Sequence, residues 1–224
     1  MNKLIFNGYK SGDKNGGPTE LAKILSQSLS SCNGYNQSDI VKRYLNWWKT
    51  DAFDTGPTFA MVFQKVSEGM SIEDASIKVN EALQGATAGC GPAHRIAPIA
   101  AFENIPTNEL VYYARKEAQI THLHPDSGNS SAVMALICRY LLKGYSWEES
   151  KNLVSKNKNI QSTWIKIHDA NLNDGGYVLD VMHSAFYFLD RENSLEESLK
   201  FSGSANYCSV IVGIIQEILN FNKQ

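Results

Sequence analysis

The sequence has no C-x-x-C pair, no apolar run near membrane-spanning length, no block of like charge and no Pro/Gly/Ser-rich linker. Each absence removes a class of protein. Its four cysteines, Cys32, Cys90, Cys138 and Cys208, stand far apart, which reads as buried free thiols in a reducing compartment rather than a disulfide framework. A membrane helix needs about 20 consecutive apolar residues, and none occurs. The apolar stretch within the first ten residues is too short for a signal peptide. The expectation is therefore a cytoplasmic protein, although delivery to another cell by a route with no cleaved signal would leave no mark. Lys and Arg number 21 against 23 Asp and Glu, a net charge of -2. Without a basic face there is no footprint for nucleic acid. Nor is there a G-x-S-x-G, Walker A or H-E-x-x-H pattern.

What the sequence has is helical periodicity. Across 224 residues, 43% of them hydrophobic, apolar positions recur at helix spacing and period-two alternation is scarce. Leu21, Ile24, Leu25 and Leu29 share one face after Pro18. Ile40, Val41, Tyr44, Leu45 and Trp48 stack behind Ser38, a cap candidate. Ser71 with Asp74, Ser146 with Glu149 and Ser194 with Glu197 have capping-box spacing. Ser130 to Lys143 is strongly apolar and ends before Gly144. Residues 177–190 and 207–220 read as two more buried helices. The expectation is an all-α fold of nine or ten helices forming one domain over residues 1–224, long enough to bury its own core.

Five polar, glycine-bearing stretches interrupt this pattern: residues 11–20, 51–58, 86–98, 121–126 and 202–209. Loops on a helical scaffold are where sites are built. The first three carry glycine and proline among polar residues. The fourth holds His122, His124 and Asp126. As a metal trio these would want a second cluster, so bonding to neighbouring helices is the competing reading. His168 and His183 have no neighbours in sequence that give them a role.

At these loops the chain resembles the ADP-ribosylglycohydrolase family, enzymes that remove ADP-ribose from modified proteins. Gly12-Asp13 with Gly17 to Glu20 looks like the family's G-D-x-x-G-x-x-x-E opening. Gly89-Cys90-Gly91 with His94-Arg95 and Pro98 is similar to its N-G-x-x-M/H-R-x-x-P turn. Thr121-His122-x-His124-Pro125 resembles its T-H-x-H/D segment. Gly175 to Val178 and Ser202-Gly203 resemble its G-Y-V and G-G-D-x-D-T elements. The pieces keep the family's order along nearly the whole chain. The resemblance implies the family's all-α, single-domain orthogonal helical bundle.

The departures fall on the metal site. The family holds two magnesium ions through carboxylates in a T-D-D-T motif and in the late D-x-D-T motif. Here the first becomes Thr55-Gly56-Pro57-Thr58, with Asp54 and Thr58 as what remains if the segment is aligned to relatives carrying D-I-G-N-T. The late motif becomes Ser204-Ala205-Asn206-Tyr207. Magnesium draws most of its affinity from charged oxygen ligands, so no cofactor is expected, and the family's magnesium is in doubt because its aspartates are absent.

By the resemblance, Glu20 is the candidate catalytic carboxylate, acting toward water or a developing ribosyl cation. On its residues alone it reads first as a first-turn carboxylate favoured by the helix dipole. Asp13, Asp54, Thr58, Gly89, Gly91, His94, Arg95, His122, Ser204, Asn206 and Tyr207 are the candidate substrate-binding set. Asp13 is also read as a turn residue bonding its own backbone, Asp54 as a helix cap, and Arg95 either as a diphosphate ligand or as a buried structural group. Trp47, Trp48, Tyr177 and Tyr207 are adenine-stacking or core aromatics. Tyr207 stands where a metal ligand would be and is expected to fill that volume. The expected ligand is ADP-ribose or an ADP-ribosylated protein. Three functions are carried forward: hydrolysis of an ADP-ribosyl linkage without the ion pair, binding by an inactive relative, and a scaffold that kept only the fold.

Overall fold

The computed structural model describes the backbone of residues 2–13, 16–203 and 205–223, with all their side chains except those of Asn2 and Asp13. The side chain of Asp13 and the whole of Ser204, both candidates above, lie outside the described residues. All regular structure among the described residues is helical, apart from one isolated bridge between Gly89 and Tyr177.

The first half of the chain comprises α1 (Asn2–Asp13), α2 (Gly17–Cys32), α3 (Gln37–Thr50), α4 (Pro57–Ser67), α5 (Ile72–Ala82) and two short helices, α6 (Gly91–Arg95) and α7 (Ala97–Ala101). The second half comprises α8 (Leu110–Ala118), α9 (Pro125–Leu142), α10 (Trp147–Ser155), α11 (Gln161–Asp169), α12 (Val178–Leu189), α13 (Ser194–Phe201) and α14 (Cys208–Phe221). Sequence periodicity resolves fewer helices because α6 and α7 are each five residues long, below the window in which a 3.6-residue period can be recognised.

The caps show where local reading succeeds and fails. Ser146 and Glu149 make the full reciprocal capping box, and Ser71 accepts the Asp74 amide. Ser38 is not the cap of α3; Asn36 is, accepting the Asp39 amide at 3.1 Å. Ser194 is not the cap of α13 either. Asn193 stands there in the left-handed region at φ 58°, and the Ser194 hydroxyl donates to Gln216 instead. Gly144, at φ 88°, terminates α9 as expected.

Helix α9 is the hub. Its residues are buried on all sides, and α6, α7, α8, α10, α11, α12 and α14 all pack against it. A helix apolar all round belongs in the interior. The buried apolar side chains form one continuous cluster reaching from Ile5 on α1 to Ile218 on α14. Helices α1 and α14 approach backbone to backbone. A Cβ on Gly8 would lie 2.5 Å from the Ile214 Cα, one on Gly213 would lie 2.5 Å from the Gly8 carbonyl oxygen, and one on Gly12 would overlap the Ser209 carbonyl. This contact brings the start of α14 against the end of α1, beside the start of α2. No described helix is long and apolar enough to cross a membrane.

Candidate functional site

A cavity of about 270 Å³ opens where the N-terminal ends of α2, α4, α6 and α14 meet, with Pro18, Pro57, Gly91 and Tyr207 in its wall. Six segments distant in sequence build it. The 54–59 stretch turns sharply because Asp54 (φ 49°) and Gly56 (φ 72°) both take left-handed backbone, which Asp tolerates and Gly adopts freely. Pro57 then starts α4, where a proline's missing N–H costs nothing. The 86–91 stretch is fixed from two sides. Val178 N–H donates to Ala88 O at 2.9 Å and Cys90 N–H to Gly176 O at 3.2 Å, while the Ser127 hydroxyl donates to Gly89 O at 2.9 Å.

Asp54 is the acidic residue in the cavity wall. Its Oδ1 accepts from the Tyr207 hydroxyl at 2.9 Å and its Oδ2 from the Gly17 amide at 3.3 Å. It thus joins the starts of α2 and α14 and satisfies one of the orphan amides of α2. Gly17 has to be glycine here, since any Cβ would strike the Asp54 carbonyl. Tyr207 stands in the cavity as expected, its ring edge-on to His94 with centroids 6.0 Å apart.

Two histidines line the cavity, both neutral. Burial, and then the charge of nearby Arg95, lower His94 and His122 alike to about 3. His94 Nε2 is buried with no hydrogen-bond partner among the described residues. Cys90, also in the wall, is pushed up by burial to about 12, so it is a neutral thiol and a poor nucleophile.

The structure sorts the remaining candidates. Thr58, Gly89, Gly91, His94 and His122 share the cavity wall with Asp54 and Tyr207. Arg95 turns the other way, into the core. Its Nε donates to Glu117 Oε1 at 2.6 Å and its Nη2 to Thr121 Oγ1 at 3.1 Å, with the Tyr44 and Phe59 rings within 6 Å of its Cζ. Burial opposes the charge on Arg95, but the Glu117 carboxylate outweighs it and holds the guanidinium protonated. The group is one of the sequence's two readings of Arg95, the structural one, realised. Asn206 is fully buried beside the cavity, donating to Asn173 O at 2.8 Å and accepting from the Cys208 amide at 2.9 Å. Glu20 lies on the first turn of α2, two residues past Pro18, its side chain 29% exposed and paired with Lys23 at 2.7 Å. It is not part of the cavity wall.

The 121–126 stretch divides its labour. His122 faces the cavity, whereas His124 caps α9 by accepting the Asp126 amide at 3.2 Å. Asp126 bonds Lys166 at 3.0 Å and the Tyr177 hydroxyl at 2.8 Å. Burial works against its ionisation, yet those hydrogen bonds prevail and hold its carboxyl below the usual range. Trp47 is buried in the core, edge-on to Phe53 and Phe59. Sequence reasoning did not find Phe59, Gly176 or Ala205 as cavity wall, nor Glu117 as the partner of Arg95. Gly176 and Ala205 sit inside motifs already quoted. Glu117 carries no signal at all, being one acid on an amphipathic helix.

The model of the ADP-ribosylglycohydrolase family matches residues 15–215. The chain belongs to the ADP-ribosylglycohydrolase family. The match takes in every segment of the cavity wall. A solved structure described as an ADP-ribosylglycohydrolase-related protein complex is similar over 96% of this chain and 85% of its own, with a TM-score of 0.75 at 19% identity. At that identity it establishes a shared all-α fold. Among the described residues of this family member, no three His, Cys, Asp or Glu side chains are grouped to hold a metal ion.

Proposed function

We propose that this chain binds ADP-ribose, free or carried on a modified protein, and does not cleave it by the family's two-magnesium route. The observation that carries this reading is the state of Asp54. It is the one carboxylate among the described residues of the cavity wall, and each of its oxygens already accepts one hydrogen bond, from a tyrosine hydroxyl and a backbone amide. Magnesium requires near-octahedral oxygen coordination with carboxylates supplying charge. These residues do not fit a two-ion centre, and Tyr207 closes the space between the segments that would have supplied it.

The cavity still suits a ribose diphosphate. The N-terminal ends of α2, α4 and α14 present positive dipole ends toward it, an arrangement that favours a diphosphate without any lysine or arginine. Thr58, Tyr207 and His122 offer hydroxyl and imidazole groups for sugar oxygens, and Phe59 supplies an apolar wall.

One observation favours a second reading, hydrolysis without metal. Glu20 is partly exposed and only two residues beyond the cavity wall. Released from Lys23 it would act as general base toward water.

Isothermal titration with ADP-ribose, with and without magnesium, and a release assay on ADP-ribosylated protein separate these readings. Binding that ignores magnesium, with no turnover and no effect of Glu20→Ala, is the expected result. Magnesium-independent turnover that disappears in Glu20→Gln selects the second reading. Absence of binding overturns both and leaves the scaffold.

A further inference from the structure

We infer that Glu117, Arg95 and Thr121 form a positioning chain that fixes His122 in one tautomer, with its proton on Nε2 as a hydrogen-bond donor to a ligand oxygen in the cavity. The chain is read from donors and acceptors. Arg95 can only donate, so Thr121 Oγ1 accepts from its Nη2 at 3.1 Å. Thr121 Oγ1 also lies 2.7 Å from His122 Nδ1. Thr121 is buried and makes no other side-chain hydrogen bond among the described residues. Were Nδ1 protonated, both neighbours would donate to Oγ1 and the threonine's own proton would be stranded in the interior. Directing that proton at Nδ1 satisfies every group, so Nδ1 is the acceptor and Nε2 carries the hydrogen.

Nε2 is the ring atom nearest the space beside Gly89, 3.0 Å from where a Cβ on that glycine would stand. It has no partner among the described residues, while His122 lines the cavity. The far end of the chain is anchored twice, because Glu117 Oε1 accepts from Arg95 Nε at 2.6 Å and from the Tyr44 hydroxyl at 2.9 Å. Gly89 is therefore open for a reason beyond turn geometry, since a side chain there would press on the donor. The neutral state of the imidazole agrees with this geometry. The cavity accordingly offers a directed N–H in place of a cation, which suits a sugar hydroxyl or an ester oxygen.

The proposal rests on the ADP-ribose reading for its ligand, though not for the tautomer itself. Long-range proton–nitrogen correlation spectra of the histidine-labelled, ligand-free protein at pH 7 read the tautomer directly, with His122 assigned by its loss in H122Q. The wild type is expected to show His122 as the Nε2–H form. Thr121→Val should shift it toward a tautomer mixture and weaken ADP-ribose binding by roughly three- to tenfold, and Thr121→Ser should restore both. An Nδ1–H or charged His122 in the wild type overturns the proposal, as does a Thr121→Val protein whose His122 signals are unchanged. Should ADP-ribose fail to bind a wild type that shows the Nε2–H form, the binding reading falls and the positioning chain stands.

Discussion

Arg95 and Glu117 show how one residue's environment decides its role. Each is almost fully buried, and they meet at 2.6 Å. Removing one partner leaves an uncompensated charge in the core. Glu117→Gln is therefore expected to destabilise the protein by about 3–5 kcal/mol, read as a lower urea midpoint. The paired change Arg95→Met with Glu117→Leu should recover most of that loss, because the pair's own desolvation nearly offsets its attraction. A smaller effect belongs to Tyr207. In Tyr207→Phe the Asp54 carboxylate keeps the Gly17 amide and loses the hydroxyl, at a cost of about 1 kcal/mol in thermal or chemical denaturation. The aromatic wall of the cavity remains.

At the scale of elements, the contact between α1 and α14 sets the position of the cavity. Gly213 sits where a side chain would run into the α1 backbone. Gly213→Ala should push the two helices apart and cost about 1–3 kcal/mol, with a parallel loss of ADP-ribose affinity because Tyr207 starts α14. Comparison of circular dichroism melts with titration calorimetry checks both. If the affinity falls no further than the fraction unfolded accounts for, the geometric link between this crossing and the cavity is wrong. The caps of α3 and α13 carry a related lesson. Several hydroxyl and amide residues stand at each start; Asn36 caps α3, whereas Asn193 at the start of α13 makes no side-chain cap. Ser146, with a carboxylate three residues on and no nearby competitor, was legible from its spacing alone.

For the whole molecule, acid is the informative perturbant. His94 and His122 hold pKa values of about 3 against an ordinary 6.5. Between those values the unfolded chain binds more protons than the folded one, so stability falls as pH drops through about 6.5 toward 3. Above that window the two groups add no slope. Two such histidines set an upper limit of about 2–3 kcal/mol per pH unit. Urea midpoints at pH 7, 5.5 and 4.5 should decline steeply. The same series in a His94→Gln, His122→Gln protein should be flatter, and an unchanged slope would show that neither imidazole is neutral in the folded state.

The all-α class, the apolar helix at residues 130–143 and most stretches that carry the cavity were legible in the local pattern, and the family in its motifs, because helix periodicity and Gly/Pro punctuation are short-range properties; that this helix is the hub was not. Which way each side chain turns was not. His94 and Arg95 are adjacent, yet one faces the cavity and the other the core. His122 and His124 likewise part between the cavity and a helix start. Asp54 reads in sequence as the remnant of a lost acid pair, and only the meeting of α2 with α14 gives it Gly17 and Tyr207 as partners. Burial and long-range pairing depend on residues brought together from distant parts of the chain, so tertiary structure alone decided them.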